Sequence, residues 1–154
     1  MVPRKSRPYI YGRFCFEGDK VLKEFEKYVG GFYTGNEKED KGIKLKYAHS
    51  LRVKKIMEKM AISFGFDDEK IKIASVIGLL HDYGRFYQWR EYQTFSDINS
   101  IDHADYGVFK LFEEREISNF YNNDKNYNLI SDAIYYHNKY DCPDMVFCKM
   151  IRDA

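Results

Sequence analysis

The chain has 154 residues, and a chain of this size buries roughly 68–70% of its unfolded surface, enough for one domain with a hydrophobic core. Its 25 Lys and Arg against 24 Asp and Glu leave a formal net charge of +1, so no global charge favours a nucleic-acid polymer or an anionic membrane. The basic start lacks the apolar segment of a signal peptide, and no apolar run is long enough to cross a bilayer. We therefore expect a cytoplasmic protein with no membrane and no nucleic-acid polymer among its partners.

The three cysteines indicate reduced thiols. Cys15, Cys142 and Cys148 are odd in number and show no C-x-x-C spacing. We interpret them as packing residues, because this pattern argues against a disulfide framework and against a zinc site built from thiolates.

The first predicted elements are two helices joined by a charged segment. A helix is predicted from about Lys20 to Val29, and the Gly-flanked segment 34–42 is predicted to be a connector. From Leu45, apolar residues recur at steps of three and four, which predicts a helix that Gly65 ends.

The next helix is apolar on nearly all sides and is expected to be central. Asp67 is a candidate cap, and the acidic residues after it favour a helix N-terminus. His81 and Asp82 fall in the predicted last turn, and Gly84 is the predicted stop.

Three further helices complete the predicted fold. One begins near the cap candidates Ser100 and Asp102, one begins at about Tyr127, and the last begins with Pro143 in its first turn. No convincing alternating strand pattern occurs, so the fold class is all-α, a single-domain helical bundle. We assign residues 1–18 to an N-terminal tail and residues 19–154 to the domain.

Four histidines lie on or beside the apolar side of a predicted helix, or in its first or last turn. They are His49, His81, His103 and His137. Any one of them is most simply a hydrogen-bonded residue at the edge of the core. Together with Asp82 and with Asp153, which is predicted to share the inward side of the last helix, they form a set of nitrogen and oxygen donors without a thiolate. Such a set suits iron, manganese, cobalt, nickel or zinc.

These residues stand in motifs that carry a family resemblance. The motifs are "KYAHS" (His49), "LLHDYGRF" (His81 and Asp82), "SIDHADYG" (His103), "AIYYHNKY" (His137) and "MIRDA" (Asp153). The series resembles the HD superfamily of metal-dependent phosphohydrolases, over residues 45–154. The resemblance implies that His49, His81, Asp82 and Asp153 bind one metal ion. It further implies that His103 and His137 match the extra ligands of the two-metal members, in which the Asp of the His-Asp pair bridges both ions.

Two departures from the resemblance concern the ends of the chain. The first 44 residues match no part of the family pattern, and the chain stops one residue after Asp153. Similar proteins usually continue that helix as "RDADKLD", so we expect a bundle of the HD type that is short at its C-terminus. Asp153 is then the least firmly held of the predicted ligands.

The resemblance implies hydrolysis of a phosphate ester by a metal-bound hydroxide, with Asp82 among the catalytic residues. Two divalent ions can polarise a phosphoryl oxygen and generate hydroxide near neutral pH. A phosphate also needs nearby cations, for which Arg85 is the first choice and Lys139 the second, although a solvated surface charge is an equally good interpretation of Lys139. Arg152 is better interpreted as a surface charge, and Gln88 could orient the substrate or satisfy backbone groups.

The predicted substrate is a nucleotide or another small phosphorylated metabolite. The connection after Asp82 is long for a structureless loop, so it is expected to fold in part and cover the site. Its aromatic side chains could stack a nucleobase or form a satellite hydrophobic cluster. They are Tyr83, Phe86, Tyr87, Trp89, Tyr92 and Phe95.

Two functions of other classes stay open. Some proteins with a similar six-ligand pattern resemble di-iron oxygenases such as myo-inositol oxygenase, and a non-catalytic module that binds a metal or ligand is the third possibility. Turnover without oxygen in the presence of manganese would favour hydrolysis.

Overall fold

The computed structural model describes the backbone of residues 10–154 and the side chains of residues 20–154. The helices are α1 (Ile10–Gly30), α2 (Glu37–Ser63), α3 (Asp68–Leu80), α4 (Tyr83–Tyr92), α5 (His103–Val108), α6 (Tyr127–Tyr136) and α7 (Val146–Asp153). A π-helical turn (Phe109–Glu113) and two 3-10 turns (Glu116–Asn119 and Asp124–Asn126) link α5 to α6. No strand occurs in this part of the chain, so the predicted all-α class is confirmed.

The first helix is longer than the predicted Lys20–Val29, because α1 already begins at Ile10. Residues 1–9 of the predicted tail lie outside the described residues. The boundary between residues 18 and 19 stays a prediction, as does the packing role of Cys15, whose side chain is also outside the described set.

Most of the segment predicted as a charged connector is helical, because residues 37–42 form the first part of α2 and only residues 34–36 precede it. The Asn36 side chain caps the helix by accepting from the backbone N–H groups of Lys38 and Glu39 at 3.0 and 3.2 Å. The acidic residues Glu37 and Asp40 lie in the first turn, where the helix dipole favours negative charge. The cap therefore begins α2 at Glu37, well before the apolar pattern starts at Leu45.

Gly84 is not the residue that ends α3, contrary to the prediction. It lies in the first turn of α4, which begins directly after His81 and Asp82. A Cβ atom at Gly84 would lie 2.1 Å from the carbonyl oxygen of His103, so glycine lets α4 and α5 approach closely.

The starts of the other helices follow their local signals with one exception. The predicted starts of α3 at the Asp67 cap, of α5 at the Asp102 cap and of α6 at Tyr127 are confirmed. The exception is α7, which begins at Val146 and not at Pro143. The carbonyl oxygen of Pro143 accepts from the Met145 N–H at 2.7 Å, which closes a tight turn before the helix.

Helix α3 lies at the centre of the molecule, as predicted from its apolar sequence. It packs against α2, α6 and α7, while α4 packs against α2 and α5. Every residue from Ile73 to Leu80 is buried. Because α3 ends inside the bundle, the two residues that follow it, His81 and Asp82, are also buried.

Two further expectations concern the thiols and the membrane. Cys142 and Cys148 are free thiols, as expected, and burial raises the pKa of Cys148 to about 11. Among the described helices, none combines the length and the apolar character that a bilayer crossing requires.

Candidate metal centre

Three helix ends and one helix face converge on the Asp82 carboxylate. His49 projects from α2, His81 follows α3, His103 begins α5 and His137 follows α6. Each carboxylate oxygen faces a different pair of rings. Oδ2 of Asp82 lies 3.6 and 3.5 Å from Nε2 of His49 and His81. Oδ1 lies 3.3 and 3.5 Å from Nε2 of His103 and His137.

The five residues form two groups that could each hold an ion. One group is His49, His81 and Asp82, and the other is Asp82, His103 and His137. Within each group, the candidate ligand atoms lie within 4.8 Å of one another. Asp82 is common to both, which is the geometry that a bridging carboxylate requires.

Hydrogen bonds on the far side of three rings fix which nitrogen faces Asp82. Nδ1 of His81 donates to the Gly78 carbonyl oxygen at 2.8 Å, and Nδ1 of His137 donates to the Ile134 carbonyl oxygen at 2.6 Å. Nδ1 of His103 lies 2.9 Å from both carboxylate oxygens of Asp97. Since these acceptors hold the hydrogen on Nδ1, a neutral ring presents the lone pair of Nε2 to the centre.

The Nε2 atoms of neighbouring rings point at each other, and in the pair of His103 and His137 both of these atoms carry a lone pair. Nε2 of His103 lies 2.9 Å from Nε2 of His137, and Nε2 of His49 lies 3.1 Å from Nε2 of His81. Two lone pairs at this distance repel unless a proton or a metal cation lies between them. The donor set of imidazole nitrogens and a carboxylate therefore fits a divalent transition metal.

Burial and neighbouring charges together favour, in His49, His81 and Asp82, the protonation states that metal binding needs. Burial lowers the pKa of His81 to about 4, and it also lowers the pKa of His49. For Asp82, burial alone would raise the pKa, but the surrounding imidazoles and the Lys46 ammonium hold it well below the usual value. A neutral ring and an anionic carboxylate are the forms that bind a metal ion.

Asp153 does not join this arrangement. Its side chain is exposed at the end of α7, whereas Met150 and Ile151 face the core. It belongs to neither group described above, and its expected inward orientation is not seen. Its role as a ligand stays a prediction.

A third group of potential ligands lies beside the centre and is already bonded internally. It consists of Asp97, Asp102 and His103. The Asn138 side-chain amide donates to Asp97 and to Asp102, at 3.2 Å each. These carboxylates therefore support the centre by hydrogen bonding.

Arg85 belongs to the same hydrogen-bond network as Asp97. Its Nη1 donates to Gln88 Oε1 at 2.7 Å, to the Phe95 carbonyl oxygen at 2.7 Å and to Asp97 Oδ1 at 2.9 Å. Gln88 is fully buried, and its Nε2 donates to Asp97, to Ser100 Oγ and to the Ile101 carbonyl oxygen. Of the two interpretations of Gln88, the structure favours satisfying internal groups.

Lys139, the second candidate cation, is paired with carboxylates of α5 and its cap. Its Nζ lies 2.7 Å from Asp102 and 2.9 Å from Asp105. These bonds hold the pKa of Lys139 above its usual value even though burial acts the other way. Arg152, interpreted as a surface charge, donates to the Lys139 carbonyl oxygen.

Two residues of this site are absent from the sequence prediction. Lys46 Nζ lies 2.8 Å from Asp82 Oδ2, and Asp97 accepts from His103. Lys46 precedes His49 by three positions on α2, so the helical period could have placed both on one face. Asp97 lies in an irregular segment, where no periodic signal exists.

The aromatic residues after Asp82 divide between the core and the site. Tyr83 and Phe86 are buried, and the Tyr83 ring stacks on Tyr28 with 3.8 Å between centroids. These two cannot stack a nucleobase, which corrects that possibility for them. Phe95 stays close to the centre, because the Lys46 ammonium lies 5.1 Å from its ring centroid. The expectation that this connection folds in part is confirmed by α4.

The sequence comparison agrees with this geometry. The family model of the HD domain matches residues 47–142, which is more than half of the chain. The matched range includes the four histidines and Asp82, whereas Asp153 lies beyond it. Comparison with the curated proteins and with the solved structures gave no significant match.

Proposed function

Since the chain belongs to the HD-domain superfamily of metal-dependent phosphohydrolases, we propose that it hydrolyses a phosphate ester of a nucleotide or another small metabolite. The proposed cofactor is a pair of divalent ions of iron, manganese, nickel, cobalt or zinc. The proposed ligands are His49, His81, Asp82, His103, His137 and, as a further ligand on the His49 side, Asp153.

The observation that carries the proposal is the opposed pairs of Nε2 atoms around one carboxylate. Four imidazoles gathered around one buried carboxylate would be costly if their only role were packing, because the facing lone pairs of His103 and His137 have no hydrogen to share. Two ions would satisfy both pairs and use both oxygens of Asp82. Bound ions supply Lewis acidity, which polarises a phosphoryl oxygen and lowers the pKa of water.

The residues of the chain prepare the centre for an anionic substrate from one side. The His49 side chain is 36% exposed, whereas that of His103 is 1% exposed, so the centre opens toward α2. Asp82 belongs to both halves of the centre, the half with His49 and His81 and the half with His103 and His137. Asp97 orients the His103 ring by accepting from its Nδ1. Arg85 and Lys139 stay the proposed cations for the phosphate, and each would share its donors with a carboxylate that it already binds.

The test is hydrolysis under controlled metal and oxygen. We expect manganese-loaded protein to release inorganic phosphate from a panel of nucleotides and sugar phosphates without oxygen, and the Asp82→Ala variant to release none. Arg85→Ala should lower turnover while metal content is kept. Equal activity of Arg85→Ala would move the phosphate-binding cation elsewhere.

A second candidate function rests on the composition of each half. Two histidines and one carboxylate are also the ligand set of iron oxygenases. Product formation that requires both iron and oxygen would favour this alternative. Metal binding without turnover under either condition would favour the non-catalytic module.

A further inference from the structure

Lys46 occupies the open side of the metal centre. Its Nζ lies 2.8 Å from Oδ2 of Asp82, the same oxygen that faces His49 and His81. The Lys46 side chain is 18% exposed, and its ammonium also lies over the ring of Phe95. The ammonium thus balances the charge of Asp82 at the place where one of the two ions would bind.

The other cations near the centre are bound in a different way. Arg85 Nη1 donates to Asp97, whereas its Nε lies 3.8 Å from Asp82 Oδ1, beyond hydrogen-bond distance, and Lys139 is paired with Asp102 and Asp105. An ion at the centre would leave those carboxylates in place, so it would not release Arg85 or Lys139. The carboxylate that Lys46 contacts is itself a proposed ligand, so an ion there competes with the ammonium directly.

We propose that Lys46 exchanges partners when metal binds, and that it then binds the phosphate of the substrate; the second step rests on the proposed function. A divalent cation on Oδ2 repels the ammonium and reduces the negative charge that the oxygen offers it. The four-carbon stem of lysine lets Nζ move while the Cα atom stays on α2. An anionic phosphoryl oxygen beside the ions supplies the replacement partner, which an ammonium binds as a point charge.

The proposal predicts opposite effects of one substitution on two ligands. Lys46→Met removes the competitor for Oδ2 of Asp82. The dissociation constant for Mn²⁺ at the half with His49 and His81, measured by titration calorimetry, should therefore fall about tenfold, equivalent to about 1.4 kcal/mol. In the manganese-loaded protein, the dissociation constant for inorganic phosphate should rise about tenfold. Lys46→Arg should bind phosphate nearly as well as the parent. Lys44→Met is the matched control, because Lys44 is exposed on the same helix, and it should match the parent in both titrations.

Each result decides a separate step. Mn²⁺ affinity that does not increase in Lys46→Met would overturn the competition at Asp82. Increased Mn²⁺ affinity with unchanged phosphate affinity would overturn the role toward substrate. Neither titration requires turnover, so a parent protein that binds both probes but hydrolyses no ester would contradict the proposed function alone. Lys46→Gln replaces Lys46→Met if thermal melting shows that the latter does not fold.

Discussion

The two halves of the candidate metal centre share Asp82 but are supported in different ways. On the His103 side, a carboxylate fixes the ring, and a buried network of Arg85 and Gln88 fixes that carboxylate. On the His49 side, His81 is held only by a carbonyl oxygen of its own helix among the bonds described, and the ammonium of Lys46 lies against the shared carboxylate. From this difference we expect one half to hold an ion firmly and the other to exchange partners, as proposed for Lys46.

This difference has a thermodynamic consequence. A carboxylate that accepts from a ligating imidazole raises the basicity of the ring, which strengthens its bond to the metal. An ammonium beside a ligand oxygen has the opposite effect. We therefore expect the first equivalent of metal to bind at Asp82, His103 and His137, and the second to bind at His49 and His81.

The largest effect should come from the residue that the halves share. Asp82→Ala removes a ligand from both groups, so the metal content should fall from close to two ions per chain to nearly none. Elemental analysis after loading and desalting gives the stoichiometry, and circular dichroism checks that helix content is kept. Two ions retained in the variant would rule out a bridging role for Asp82.

The next effect separates the halves. His137→Ala or His103→Ala should leave roughly one ion per chain, held by the weaker half, and His49→Ala should leave roughly one ion held by the stronger half. Chelator competition should therefore remove the ion more easily from His137→Ala than from His49→Ala. If the parent binds a single ion, and the His103 and His137 variants bind it equally well, the two-metal arrangement is wrong and those histidines line the pocket instead.

A smaller effect should follow from removing the support behind His103. Asp97→Ala takes away the acceptor of Nδ1, so metal affinity of that half should fall about 10–100-fold. Chelator competition measures this, with Asp105→Ala as the control, because Asp105 is exposed and pairs with Lys139 without contacting His103 in the bonds described. Equal losses in both variants would indicate a general charge effect and no specific support.

A substitution at the close approach of α4 and α5 should have the smallest effect on metal content and should act on stability instead. Gly84→Ala places a methyl group 2.1 Å from the His103 carbonyl oxygen, so the free energy of unfolding should fall by about 1–3 kcal/mol. Urea denaturation measures the change. Gly30→Ala is the control, since nothing lies within 4 Å of its added Cβ and no such loss is expected. A Gly84→Ala variant as stable as the parent would show that the two helices separate at little cost.

The sequence predicted those parts of the fold that local interactions determine. The caps Asp67 and Asp102 mark helix starts because each side chain satisfies nearby backbone N–H groups. Gly84 misled the prediction because its small size serves a contact with His103, nineteen positions away, and not a turn. The same limit applies to Pro143, whose carbonyl oxygen closes a turn that the helix-start pattern does not describe.

The candidate site was predictable to the extent that its residues contrast with their surroundings. The histidines and Asp82 stand out because a polar group on an apolar helix is costly to bury without a partner. The structure brings these five residues together. Lys46 and Asp97 resemble many other charged residues in a chain with 25 Lys and Arg and 24 Asp and Glu. Their importance depends on distances across helices, which no local pattern contains. Asp153 was placed by periodicity at a helix end, where the last residue is exposed.

Trp89 is an intrinsic fluorescent probe of the contact between α2 and the segment that leads from α4 to Asp97. It is the single tryptophan of the chain, and its ring lies over Gly42 of α2, where an added Cβ would meet the indole at 2.2 Å. Its Nε1 donates to the Glu39 carbonyl oxygen at 2.6 Å, and its ring centroid lies 4.8 Å from that of Phe95. Tryptophan fluorescence therefore arises from one indole that touches both the helix bearing His49 and the segment leading to Asp97. A change in this contact should therefore change the emission wavelength and the quenching of Trp89, with no added label.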